Sequence, residues 1–149
     1  MNMQQMIKRD VVELCFERDL EVFRITSKFK RCLKWMVGKG FLYEQKACPC
    51  CDKMMRVANS NTRYKDGLIF KCSRHDGTDV KVSIRDGTIF VGAFLSLMEA
   101  IRVIFYYFPR GFNAVQAFKD LKEYGIPNIQ YNYVWDMYRR IRHLVHLYY

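Results

Sequence analysis

The chain has 149 residues, half of them hydrophobic, and a formal charge of +10 at neutral pH. That length suits one domain or two small ones, and the apolar half makes a core available. The charge points to phosphate-bearing partners, nucleic acid first. The most apolar window, Ile89 to Phe108, holds Glu99 and Arg102 near its middle, both costly in hydrocarbon, so no transmembrane span is expected. Lys8, Arg9 and Asp10 stand where a secretory signal needs an apolar run. The six cysteines are therefore expected in a reducing compartment, and the protein is expected to be intracellular, nuclear or cytoplasmic, and not secreted.

From about Gln4 to Val37 there is no proline or glycine. Apolar residues recur at Val11, Cys15, Val22, Ile25, Phe29, Leu33 and Met36, mostly three or four apart with a break at Arg18. The spacing predicts amphipathic helix, as two segments or one bent rod, stopped by Gly38 and Gly40. Lys28, Lys30, Arg31 and Lys34 lie on this helix, with Lys39 and Lys46 beyond it, against the single acid Glu44. Such a patch suits a phosphate backbone or, equally, a solvated helix face.

The next stretch carries the strongest chemical signal. Cys48-Pro49-Cys50-Cys51 is followed about twenty residues later by Cys72-Ser73-Arg74-His75. Two C-x2-C/H knuckles at that separation are the usual wrapping of one tetrahedral zinc by a β-hairpin. The predicted ligands are Cys48, Cys51, Cys72 and His75. Cys50 either replaces Cys51 or stays free; Cys51 is preferred because two intervening residues close the chelate loop without strain. His75 is the least typical member, since a second knuckle more often ends in cysteine. A closed set of four protein ligands leaves no open position for water or substrate, so the zinc is expected to be structural. Met54 to Val57, Gly67 to Cys72, Val80 to Ile84 and Thr88 to Val91 are predicted strands, separated by turn chemistry at Asn59-Ser60-Asn61, Asp66-Gly67, Asp76-Gly77 and Asp86-Gly87. They make a small antiparallel sheet.

Beyond Gly92, Ser96 and Glu99 form a capping box for an apolar helix over Leu97 to Phe108, stopped by Pro109 and Gly111. Asn113 caps a shorter helix, Ala114 to Tyr124, with Gly125 as its C′ residue. A last helix runs from about Asn128. Short helix, glycine turn, longer helix is the helix-turn-helix pattern. Tyr131, Val134, Trp135, Tyr138 and Ile141 are expected to face the core. Gln130, Asn132, Tyr133, Arg139, Arg140 and Arg142 then lie on or beside the outer faces, with side chains suited to phosphates and base edges. His143 and His146, three apart on this helix, are expected to add to its basic end or to cap it rather than to hold a metal, since no third ligand is near in sequence. The expected fold class is α+β: N-terminal helices (1–40), a zinc ribbon (41–92) and a C-terminal helix-turn-helix-like bundle of three helices (93–149).

Lys34-Trp35-Met36-Val37-Gly38-Lys39-Gly40-Phe41-Leu42, the Cys48-Pro49-x-Cys51 knuckle with Met54-Met55, Phe70-Lys71-Cys72, Val82-Ser83-Ile84-Arg85-Asp86-Gly87-Thr88-Ile89-Phe90 and Leu95-Ser96-Leu97 occur in one order. From about residue 20 to 145 the chain resembles the N-terminal part of Merlin/IS1016-type (ISXO2-like) transposases. There a leading helix and a zinc ribbon precede an S-I-R-x-G segment, a helix and a helix-turn-helix. The resemblance implies DNA binding. The family's catalytic unit is an RNase H-like domain with spaced metal-binding carboxylates; Asp120, Glu123 and Asp136 do not match that pattern. The implied protein keeps the binding half without the chemistry.

The leading expectation is thus a non-catalytic nucleic-acid-binding protein stapled by zinc, with no membrane or small-molecule partner. Its contacts would come from Lys28, Lys30, Arg31 and Lys34 on the first helix and Gln130, Asn132, Arg139, Arg140 and Arg142 on the last. The residues alone do not choose DNA over RNA. A small basic zinc ribbon rich in aromatics also suits structured RNA or a ribosome-associated role. A third expectation is a protein–protein adaptor using Phe94 to Phe108. No Ser/His/Asp or Cys/His constellation suggests an enzyme.

Overall fold

The computed structural model describes residues 28–60, 64–73, 79–108 and 111–148. The fold is α+β. Its elements in chain order are α1 (Phe29–Gly38), β1 (Arg56–Asn59), β2 (Leu68–Cys72), β3 (Val80–Ser83), α2 (Leu97–Tyr107), α3 (Ala114–Tyr124) and α4 (Tyr131–Tyr148). Of the N-terminal helix expected from Gln4, residues up to 27 lie outside the described residues; the described part is α1. The chain falls into two compact units. One joins Met1–Phe41 with Gly92–Tyr149, and the other is Leu42–Val91.

In the helical unit, local chemistry places the helix starts. Ser96 Oγ accepts the Glu99 N–H and the Glu99 carboxylate accepts the Ser96 N–H, completing the capping box of α2. Asn113 Oδ1 accepts the Gln116 N–H at 2.9 Å and starts α3. Gly125 closes α3 through its N–H to the Leu121 carbonyl. Its φ is −135°, so it does not adopt the left-handed conformation of a C′ glycine. A Cβ there would instead crowd the Leu121 carbonyl at 3.4 Å.

Helix α2 is the centre of this unit. Leu97, Ala100, Ile101, Val103, Ile104 and Phe105 are buried, and α2, α3 and α4 pack on one another in a bundle while α1 packs on α2. Helix α1 contributes buried Cys32 and Met36, and α4 contributes Val134, Met137, Tyr138 and Ile141. That α4 set steps by three, one and three, the stripe of a core-facing helix. The expected inward set differs at two positions. Tyr131 and Trp135 are exposed and Met137 is buried in their place. Both stripes are apolar and helical in period, and packing against α2 and α3 selects the one with the flexible thioether. The Tyr138 hydroxyl is buried without a hydrogen-bond partner among the described residues. Burial pushes this phenol well above its ordinary range, with Tyr107 and Tyr106 adding to the effect.

The second unit is built on an antiparallel sheet in the order β1-β2-β3. Val57 pairs with Phe70 and Phe70 with Val82; one position along, Arg56 pairs with Lys71 and Lys71 with Lys81. Ile69 and Phe70, side by side on the central strand, are both buried. β1 starts two residues later than expected, after an isolated Ala47–Met54 bridge. The strand expected at Thr88 to Val91 is absent, because that backbone bonds locally. Thr88 N–H and Oγ1 both donate to the Arg85 carbonyl, the Phe90 N–H donates to Thr88 Oγ1, and the Val91 N–H donates to the Thr88 carbonyl.

This turn is anchored by Arg85. Its Nε and Nη2 donate to the two Asp66 oxygens at 2.6 and 2.7 Å, and Nη1 donates to the Phe90 carbonyl. The ion pair is almost fully buried, with side-chain exposures of 6% and 5%. Bidentate geometry offsets the desolvation of both charges, so removing one partner strands the other. Gly87 adopts φ +75°, and a Cβ there would meet Tyr43 and Lys46 at 3.3 Å. Lys46 Nζ donates to the Asp86 carbonyl at 2.7 Å and pairs with its carboxylate.

Two outcomes are expected. Asp66→Asn should lower the stability of the second unit by about 3–5 kcal/mol in urea unfolding, because the buried guanidinium loses its counterion. The second concerns Cys32, whose thiol is pushed up to about 11 by burial, with the Arg102 charge partly opposing. The unfolded chain releases this proton near pH 9 and the folded chain holds it to about pH 11, so folding stability should fall as pH rises between the two. Urea unfolding at stepped pH should show a shallower alkaline loss in Cys32→Ala than in the wild type.

Candidate metal centre and cationic surfaces

The first knuckle is a tight loop. The Cys48 N–H donates to the Lys53 carbonyl at 2.8 Å, and the Asp52 N–H donates back to the Cys48 carbonyl at 2.9 Å. Asp52 takes φ 57°, a left-handed position that a short polar side chain tolerates. The loop thereby turns Cys48 and Cys51 to the same side. Cys72 arrives from the end of β2.

The three Sγ atoms lie within 4.8 Å of one another, and those of Cys51 and Cys72 are 3.7 Å apart. A tetrahedron of sulfurs bound at about 2.3 Å has edges of about 3.8 Å, so the observed separation fits a shared metal ion. Cys50 is exposed and stands outside the cluster. Of the two alternatives in the first knuckle, Cys51 is the one whose Sγ lies with those of Cys48 and Cys72. His75 lies outside the described residues.

The electrostatics of the cluster favour a cation. The Lys53 backbone N–H pulls the Cys51 pKa down, but burial and the neighbouring Cys48 and Cys72 thiols outweigh it and leave the value raised. Clustered sulfurs resist ionising together unless a positive ion is shared among them. The three cysteines can hold a metal ion.

The nine residues expected at a nucleic-acid surface all belong to the helical unit. Lys28 is the N-cap residue of α1, and Lys30, Arg31 and Lys34 follow on its exposed side. The first turn of α1 contains no acid. Side-chain charge and the partial positive charge of the helix start therefore add. On α4, Gln130 and Asn132 are exposed at the helix start, where the Gln130 carbonyl accepts the Tyr133 and Val134 N–H groups. Arg139 and Arg142 are exposed; Arg140 is half-buried and its Nε donates to Asp136 at 2.7 Å. Arg139 also reaches Asp136, at 3.0 Å, and the two arginines hold that carboxyl below its usual range despite its partial burial.

Sequence reasoning missed Trp135. It is 45% exposed, shares a face of α4 with Asn132, Arg139 and Arg142, and lies under the Arg139 guanidinium at 5.8 Å. Phe94, also exposed, stacks on Tyr133 at 5.2 Å. Among the described residues, no helix is long and apolar enough to cross a membrane. No protein-family model matches the chain, and neither a curated protein nor a solved structure does.

Proposed function

We propose that this chain is a non-catalytic nucleic-acid-binding protein whose ribbon is stapled by zinc, related to the DNA-binding half of Merlin/IS1016-type transposases. The observation that carries the reading is the outward presentation of Lys30, Arg31 and Lys34 on α1 and of Arg139 and Arg142 on α4, in a chain of net charge +10. Long cationic side chains on exposed helix faces neutralise phosphates and release counterions. Gln130 and Asn132, exposed at the start of α4, supply amide groups for base edges.

Zinc fits the metal site better than harder cations because the donors are thiols. Cys48, Cys51 and Cys72 would hold it, with His75 as the fourth ligand. A bound zinc would neutralise the thiolates and cross-link the first knuckle to β2. The non-catalytic reading draws support from the commitments of two acids on the bundle: Asp120 accepts the Tyr106 hydroxyl, and Asp136 is held by Arg139 and Arg140.

A second reading is a structured-RNA or ribosome-associated role. The exposed Trp135 ring beside Arg139 favours it, since unpaired bases stack on such a platform.

Purified protein should contain one zinc per chain by metal analysis, and Cys72→Ser should lose both the zinc and the cooperative unfolding of the ribbon. A variant that keeps full zinc would remove Cys72 from the ligand set. Binding of the intact protein to a DNA duplex and to an RNA hairpin should fall steeply with salt. Arg139→Glu with Arg142→Glu should weaken binding by about tenfold or more and flatten the salt slope by about 2. Tighter binding to the hairpin, with quenched tryptophan fluorescence, would select the RNA reading.

A further inference from the structure

The register of the ribbon sheet sets three cations side by side. Arg56 on β1 pairs with Lys71 on β2, and Lys71 pairs with Lys81 on β3. Partners in an antiparallel ladder point to the same face, so these side chains form one row across the sheet, about 9.5 Å from edge to edge. Like charges directly opposite one another destabilise a sheet. Here the repulsion occurs twice in succession, between central Lys71 and each edge strand, at positions where threonine or valine would pair better.

The row is accessible. Arg56 and Lys81 are exposed, and the Lys71 side chain is 37% exposed. Among the described residues Asp79 meets it: Lys71 Nζ lies 2.9 Å from its oxygen. The hydrogen bond from Lys71, and the charges of Lys71 and Lys81, hold the Asp79 carboxyl below its ordinary value even though it faces solvent. Among the described residues, one acid stands against three cations, which leaves the row net positive. Arg56 also donates to Ser73 Oγ at 3.4 Å, which ties the row to the residue after Cys72. Cys72, a member of the thiol cluster, is the last residue of the strand that carries Lys71.

We propose that Arg56, Lys71 and Lys81 form a phosphate-backbone contact on the ribbon itself, so that the ribbon binds nucleic acid directly. This rests on the nucleic-acid reading above and extends it to a surface that reading did not include. A polyanion relieves the repulsion by placing negative charge along the row. The cost to the empty sheet is recovered on binding.

That exchange gives a test that a structural role would fail. Lys81→Thr and, separately, Arg56→Gln each remove one like-charge contact and keep strand-compatible side chains. The zinc-loaded full chain is titrated by fluorescence anisotropy against a labelled DNA duplex and a labelled RNA hairpin, from about 50 to 200 mM salt. Each variant should keep its zinc, melt at the wild-type temperature or higher, bind about 3- to 10-fold more weakly, and lose about 1 from the salt slope. Wild-type affinity and slope in both variants would overturn the ribbon contact and leave the helical surfaces standing. Weaker binding accompanied by lost zinc or a lower Tm would also overturn it, by assigning the row a structural role. A wild-type chain that binds neither probe would overturn the parent reading together with this one.

Discussion

The meeting of Cys51 with Cys72, 3.7 Å apart across 21 residues of chain, is the constraint on which the ribbon depends. This unit has three short strands and, among the described residues, few large fully buried side chains, Phe70 and Phe90 foremost. A unit of this size has little apolar area to set against its conformational entropy. Cross-links must compensate. The thiols of Cys48, Cys51 and Cys72 gather at the knuckle end, where they can hold a metal ion. The buried Asp66–Arg85 pair joins the turn before β2 to the turn after β3. Both devices act at chain reversals, where a thin core provides least.

The segment Ser83 to Phe90 illustrates how closely residue type follows local geometry. Ser83 Oγ accepts the Arg85 N–H, Arg85 clamps Asp66, Asp86 takes Lys46, Gly87 turns at positive φ against Tyr43, and Thr88 bonds both ways within the turn. Phe90 is then fully buried. Every polar residue in this run has a structural partner. The run is thus used by the fold as a turn, and a binding role for it is not needed to explain its composition.

The helical unit separates its tasks by helix face. On α4, Val134, Met137, Tyr138 and Ile141 supply the packing, which frees Asn132, Trp135, Arg139 and Arg142 to share the outer side. Asp136, between the two faces, pairs with Arg139 and Arg140 and limits how much of that charge is available. Arg142 has no such acid among its described contacts, and Lys30, Arg31 and Lys34 occupy a helix whose first turn is free of acids.

Much of the fold was legible in the sequence because its signals are local. Ser96-x-x-Glu99, Asn113 and the 3.6-residue period placed α2 and α3 within a residue, since a cap needs only neighbours along the chain. The cysteine spacing marked Cys48, Cys51 and Cys72 because a chelate loop is a short-range object. Other features depend on distant partners. The inward stripe of α4 was ambiguous until α2 and α3 chose Met137 over Trp135. The strand expected at Thr88 was lost to hydrogen bonds with Arg85, whose own position is set by Asp66. That α1 joins the C-terminal helices follows from its packing on α2, a contact that skips the whole ribbon. The cation row exists only in the register, because Arg56, Lys71 and Lys81 are unremarkable in sequence and become neighbours through pairing. Sequence determined the caps, the periods and the knuckle; tertiary structure alone decided which faces meet and which charges stand together.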